Sequence, residues 1–418
     1  MEFYADKSRD LSRFIYRNFF DLLAKDSSAA ARGELVNKFC QFIADLKLEG
    51  DWQKMKWCLP VSAVNPGLSA SETRQIEETL VHKRKKRNDR LVEVYPHCSD
   101  EFSTTVAFLD AAFGSRRFDF IDPATRIFTM GSCFARNIAN YLQHRGFTIS
   151  PFIQAEDLNS PFSNAKLLAV CTAAPRLQRA YIEHWVDVLY PKDAGVDLAA
   201  VVKMELQRLE ALLAALKASE FLIVTYGNVL DYFLPPTPAE FEVGPAIAPK
   251  FLTISTNEDI ALRSHLTGKL KTAGAEFRIG SYAEVSEALD ALYKAIRTIN
   301  PTARLLLTLS PVPIDSAIGI KHSANLSAVE IDCVSKSLLR AALNEFLEKH
   351  QADDKLFYFP SFEIVRWIAP NIGSAVFGKE DAASRHVSQE VLNGVYEYFI
   401  YKFCASAGAE KQPIAATL

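Results

Sequence analysis

The run Thr129-Met130-Gly131-Ser132-Cys133-Phe134-Ala135-Arg136-Asn137 places two nucleophile-capable side chains, Ser132 and Cys133, after a glycine and ahead of a helix pattern marked by Ile138 and Leu142. A residue at such a turn is exposed, feels the positive end of the helix dipole and lies beside backbone N–H groups that have no partner within the helix. Those conditions suit attack on an acyl carbonyl and stabilisation of the oxyanion that follows. A plainer role fits the same residues, with Ser132 capping the helix and Cys133 packed beneath it. The spacing alone keeps both open. Thr225-Tyr226-Gly227-Asn228 sets a glycine beside an amide able to donate to negative charge, or is simply a turn that needs positive φ. Ser310-Pro311-Val312-Pro313 gives a rigid loop wall and no base. Pro360-Ser361-Phe362-Glu363 adds a carboxylate, and Glu380-Asp381-Ala382-Ala383-Ser384-Arg385-His386 brings a histidine and carboxylates into one loop. A general base and its orienter could come from that loop, or His386 is a lone surface histidine.

These segments need elements to hold them. Apolar runs of strand length cover 127–130, 147–152, 221–226, 305–309 and 356–359. Each is apolar nearly throughout, as a parallel strand covered on both faces requires. Helical patterns lie between them; in 281–296, Ser281 and Glu284 form a capping box, and Val285, Leu289, Leu292 and Ile296 mark one apolar face. Strand and helix alternation predicts a doubly wound α/β sheet with right-handed crossovers, whose chemistry lies beyond the carboxyl ends of the strands. All the segments above fall at such ends.

The chain has 418 residues, 49% apolar and 23% charged, with a formal charge of −3, which excludes a disordered, collagenous or coiled-coil chain and gives no field to recruit nucleic acid. Residues 1–118 read as a mainly helical region, with apolar spacing at Leu11, Phe14, Ile15, Phe19 and Leu22 and at Leu35, Phe39, Ile43 and Leu46. Residues 119–408 form the α/β domain and 409–418 a tail. The basic run Lys83-Arg84-Lys85-Lys86-Arg87 is local, a solvated helix face or a contact for an acidic partner, and lacks the aromatic interleaving of a nucleic-acid site. With no basic head and apolar stretch at the start and no apolar run long enough to span a bilayer, a cytoplasmic location is expected. Seven scattered cysteines suggest reduced thiols and no metal centre.

Gly131-Ser132-Cys133-Phe134-Ala135 spells the motif of the GSCFA domain family. Thr225-Tyr226-Gly227, Ser310-Pro311-Val312-Pro313, Ser335-Lys336-Ser337 with Arg340, and Tyr358 to Glu363 resemble its later stretches in order. The resemblance implies kinship with the SGNH or GDSL hydrolases and a flavodoxin-like three-layer α/β/α sandwich. Those enzymes move acyl groups with a serine in a Gly-Asp-Ser turn, glycine and asparagine oxyanion donors, and a late Asp-x-x-His pair. Laid on this chain, the turn puts Gly131 at the glycine and Cys133 at the nucleophile, while a shift of one makes Ser132 the nucleophile. Asn228 beside Gly227 stands one residue nearer its glycine than the SGNH asparagine does. Asn159 is the substitute for a second-strand glycine. His386 is the base, with Asp381 five residues before it or Glu363 as orienter.

The expected function is acyl-ester chemistry through a covalent acyl-enzyme, as O-acyltransferase or esterase, on a carbohydrate or polysaccharide precursor. No bound cofactor is expected, and acetyl-CoA is the candidate acyl donor. The alternative is a catalytically inactive glycan-binding or scaffolding protein of bacterial polysaccharide biosynthesis, with residues 1–118 docking a protein partner.

Overall fold

The computed structural model describes residues 29–45, 69, 71–72, 74–75, 104–114, 116–150, 158–190, 197–235, 243–252, 268–314, 316–321, 326–372, 375–379 and 385–405. The chain divides into two compact units, Met1–Pro96 with Asp110–Ser115, and His97–Leu109 with Arg116–Leu418. In the first, helix α1 (Ala29–Asp45) buries Val36 and Cys40, and Arg32 pairs with Glu72 at 3.1 Å. The helix expected around Leu35, Phe39 and Ile43 is thus α1. The pattern at 11–22 and the basic run 83–87 lie outside the described residues.

The second unit is α/β. After α2 (Thr105–Phe113) come β1 (Ile127–Gly131), α3 (Cys133–His144), α4 (Pro161–Thr172), α5 (Pro175–Leu189), α6 (Leu198–Ala218), β2 (Phe221–Tyr226), β3 (Leu230–Phe233) and β4 (Glu276–Ile279). Then follow α7 (Tyr282–Ile299), β5 (Arg304–Leu309), α8 (Ala328–Lys349), β6 (Leu356–Phe359), a π-helical turn at Ile364–Ile368 and α9 (Gln389–Phe403). The main sheet is parallel in the order β1-β2-β5-β6, with Gly131 level with Thr225 and Tyr226 level with Leu309. β3 and β4 form a separate antiparallel pair.

Packing explains the strands. All of β1 and β2 is buried, and the helices cover them from either face, so an unbroken apolar run costs nothing in exposed surface. Phe128, Met130, Leu222, Val224, Leu305, Leu307 and Leu309 enter one core with Leu289, Leu292 and Ile296 of α7 and Leu339 and Leu343 of α8. The Ser281–Glu284 capping box forms as expected, and Ser327 with Glu330 makes a second at the start of α8. Four of the five expected strands are present. Of the fifth, 147–152, the described residues 147–150 form one parallel bridge between Ile149 and Ile127, in which the Thr148 carbonyl accepts the Ile127 N–H at 3.0 Å and the Ser150 N–H donates to the Ile127 carbonyl at 2.8 Å; 151–152 lie outside the described residues. That bridge lies on the side of β1 away from β2, because Ile127 is in register with Phe221 of β2 on one side and gives both its N–H and its carbonyl to 148–150 on the other. The chain therefore switches direction across the sheet between β1 and β2, and at such a switch point the carboxyl ends of the strands open a crevice. Among the described residues no helix is long and apolar enough to cross a membrane.

Candidate functional site

A cavity of about 240 Å³ lies at this switch point. Ser132 and Cys133 line it from the end of β1, Asn159 from the start of α4, and Gly227 and Asn228 from the end of β2. Leu230 and Phe277 come from the small sheet, Ser310, Val312 and Pro313 from the end of β5, and Lys250 and Arg385 supply charge. Ser310-Pro311-Val312-Pro313 is a wall, as its prolines imply.

Gly131 makes the turn possible. Its φ is +114°, and an added Cβ would stand 1.9 Å from the Thr225 carbonyl oxygen. That same oxygen accepts the Ser132 N–H at 3.0 Å, which fixes the start of α3 against β2. Ser132 occupies the N-cap with extended backbone, but its side chain makes no capping bond. Its Oγ is buried with no hydrogen-bond partner, on a residue only 2% exposed. The capping role that the sequence allowed for Ser132 is therefore not the one it plays. Cys133, the first residue of α3, is half-buried, more exposed than Ser132, and lines the cavity with it.

The glycine after β2 serves a different need from a positive φ. Gly227 has no such backbone; it is required by close approach, since a Cβ there would meet Asn159 Oδ1 at 2.9 Å. The Asn159 carbonyl accepts the N–H groups of Gly227 at 2.6 Å and Asn228 at 3.2 Å. Those two backbone donors are thereby committed, so an oxyanion cannot draw on the Gly227 N–H. Asn228 Oδ1 accepts the Leu230 N–H at 3.0 Å, which fixes the amide and leaves its NH₂ as the donor facing a ligand.

The late loop is arranged otherwise than the sequence suggested. Arg385 lines the cavity, whereas His386 is exposed and does not; its carbonyl accepts the Gly378 N–H at 2.9 Å. Asp381 lies outside the described residues. Glu363 is also away from the cavity lining. Arg340 Nε reaches it at 2.5 Å and the Tyr358 hydroxyl at 2.9 Å, and burial pushes the Tyr358 phenol far up so that it stays a neutral donor. Of the expected set, Gly131, Ser132, Cys133, Asn159, Gly227 and Asn228 converge on one place.

Two groups that sequence reasoning did not assign complete the surroundings. Asp231 is fully buried, accepts the Ser160 hydroxyl and the Ser163 hydroxyl at 2.5 Å, and pairs with Lys250 at 3.1 Å. Lys336 of α8 is 3% exposed, and its Nζ donates to the carbonyl oxygens of Gly227 and, at 2.7 Å, of Ser310. Burial pushes its ammonium down to about 7. The signal in the sequence was position: Lys336 falls on the same helical face as Leu339 and Leu343, where a charge needs partners.

The model of the GSCFA family matches residues 126–399, more than half of the chain and a span that holds β1, the cavity residues and most of α9. No curated protein matches the chain.

Proposed function

Because the chain belongs to the GSCFA family, with its name-giving turn forming one wall of the cavity, we propose that it transfers or hydrolyses acyl groups through a thioester on Cys133. The observation that carries this reading is the contrast at the turn: both residues line the cavity, but Cys133 is partly exposed at a helix N-terminus while Ser132 is 2% exposed. A thiolate there feels the helix dipole, which favours the anion. The Sγ attacks the acyl carbon, a C–S bond forms, and the carbonyl pair moves onto oxygen beside the Asn228 amide and the head of α3. Collapse breaks the bond to the leaving group, which departs with its electron pair. Water or a sugar hydroxyl then attacks the thioester, its proton passes through solvent to the leaving group released in the first step, and the C–S bond breaks to return the thiolate.

Arg385 and Lys250 are the charged residues on the cavity wall. They suit a substrate that carries negative charge, such as the phosphates of acetyl-CoA as donor or an acidic carbohydrate as acceptor. The parallel sheet with a cavity at its switch point is also the arrangement that kinship with SGNH hydrolases would call for. His386 is exposed and off the cavity lining. Its placement favours the second reading, a glycan-binding protein without turnover.

Turnover of a small activated acetyl ester and of acetyl-CoA by the full chain decides between them. Cys133→Ala is expected to lower the rate at least about a hundredfold, and Ser132→Ala, which removes a hydroxyl with no hydrogen bond to lose, to stay within about threefold. No turnover by the wild type, with glycan binding retained, establishes the second reading.

A further inference from the structure

A groove of about 1100 Å³ runs along α8, apart from the cavity at the strand ends. Val329, Cys333, Ser337, Arg340, Asn344 and Glu348 recur in its lining at steps of three and four residues, which is one face of the helix. At 1.5 Å per residue that stripe is about 28 Å long. Two aromatic rings join it: Trp367 is 58% exposed and Tyr282 37% exposed. With Val329 they leave a large apolar surface in water, which marks a place that binds something. Both rings are held. In the π-helical turn Ile364, Val365 and Ile368 point inward and Trp367 outward, and Arg366 pins that turn through the Pro311 carbonyl and Asp332, each at 2.9 Å. Tyr282 opens α7, and its hydroxyl donates to Glu345 of α8.

The lining decides what kind of ligand fits. Among the described residues Asp332, Glu345 and Glu348 offset Lys336, Arg340 and Arg366, so the groove has no net charge with which to draw a phosphate chain. The core of a protein–protein interface is depleted of such charged side chains. Exposed rings set among planar polar groups match a ligand of both characters, and a pyranose is one, with a face of C–H bonds and a rim of hydroxyls. The negative face of an aromatic ring attracts those C–H bonds. The hydroxyls need donors and acceptors side by side. The Arg340 Nε–H goes to Glu363 at 2.5 Å, and among the described residues its terminal N–H groups bond to nothing else. Asn344 donates Nδ2 to Glu348 Oε1 at 2.9 Å, which holds its amide oxygen and that carboxylate as neighbouring acceptors. We propose that this groove is a carbohydrate-binding site, in which Trp367 and Tyr282 stack on sugar rings while Arg340, Asn344 and Glu348 bond their hydroxyls. The assignment does not rest on the chemistry at Cys133, but the two places adjoin. Asp332 and Lys336 line the groove, and they bond to the Ile314 N–H at 3.0 Å and to the Gly227 and Ser310 carbonyls. Those three residues line the cavity, so a chain held along α8 lies one layer of side chains away from it.

The test is calorimetric binding of neutral linear hexasaccharides of glucose, galactose, mannose and N-acetylglucosamine to the full chain, joined to oxidation of Trp367 by N-bromosuccinimide and peptide mapping. At least one of these sugars is expected to bind and to slow oxidation of Trp367. Trp367→Ala should weaken that binding at least about tenfold. Trp367→Phe, which keeps a ring, should lose less. Ile318→Ala, a change at a residue that is 90% exposed and off the groove lining, should leave the affinity as it is. All three positions are at the surface, so the thermal transition is expected to stay in place. Binding of no sugar in the set, binding indifferent to Trp367→Ala, or oxidation of Trp367 unchanged by bound sugar overturns the assignment. A wild-type dimer that Trp367→Ala turns into a monomer in sedimentation also overturns it, by making the groove a contact between copies. An acyl adduct on Cys133 in a chain that binds none of the sugars would remove this inference and keep the acyl-transfer reading; binding that needs Trp367 in a chain that never forms the adduct would do the reverse.

Discussion

Gly131→Ala is expected to lower folding stability by about 3–5 kcal/mol, the range of the most damaging single substitutions. Two costs add. A φ of +114° lies where L side chains rarely go, at about 1–3 kcal/mol. The new methyl would also stand 1.9 Å from the Thr225 oxygen, a backbone atom that cannot swing aside as a side chain would. Moving it breaks the Ser132 N–H bond and the parallel pairing of Gly131 with Thr225, so relief comes only by opening the sheet at the turn that presents Cys133. Gly146 is the control: its φ is +84°, but a Cβ there meets nothing within 4 Å. Gly146→Ala should cost only the backbone share, about 1 kcal/mol. Denaturant unfolding of both chains measures the difference; equal losses would mean that the close approach at β2 does not constrain the turn.

Lys336→Met should change how stability depends on pH, and the sign follows from the direction of the shift. Lys336 in the folded chain binds its proton with a value of about 7, against an ordinary 10.5. Between those values the unfolded chain holds a proton that the folded chain has released, so wild-type stability rises with pH across that window. Below it both states are protonated and the full penalty is present; above it both are neutral and the penalty is gone. At 1.36 kcal/mol per unit the whole window is worth about 5 kcal/mol, and the part between pH 7 and about pH 9.5 is worth about 3 kcal/mol. Relative to Lys336→Met, whose two carbonyls lose their donor at every pH, the wild type should gain by that amount over the range. A difference that stays flat with pH would show that the buried ammonium carries no such strain.

The sheet was legible because its inner strands are buried on both faces, which writes each as an uninterrupted apolar run; 221–226 emerges with the expected bounds, and so does the end strand 356–359, of which only Phe359 is fully buried. Where the run was mixed, at Phe147-Thr148-Ile149-Ser150, only Ile149 bridges to β1. The candidate site was legible as far as strand ends reach. Ser132, Cys133, Gly227 and Asn228 follow directly from β1 and β2, and Asn159 joins them because Gly227 makes room for it. Lys336 escaped because its partners are set by tertiary packing: Gly227 is 109 residues away and Ser310 is 26, and no local spacing encodes either contact. Glu363 misled for the opposite reason. Its carboxylate is satisfied beside its own strand by Tyr358 and by Arg340, not at the mouth of the sheet. His386 was read from residue type in a loop, and the residue that lines the cavity is the arginine before it.

The central claim is a covalent acyl group on Cys133, and intact-protein mass spectrometry with peptide mapping after incubation with acetyl-CoA or a small activated ester tests it most directly. The expected result is a single acetyl adduct on the peptide that holds Cys133, retained in Ser132→Ala and absent from Cys133→Ala. An adduct that maps to Ser132, or none on any residue of an intact, folded wild-type chain, would contradict it.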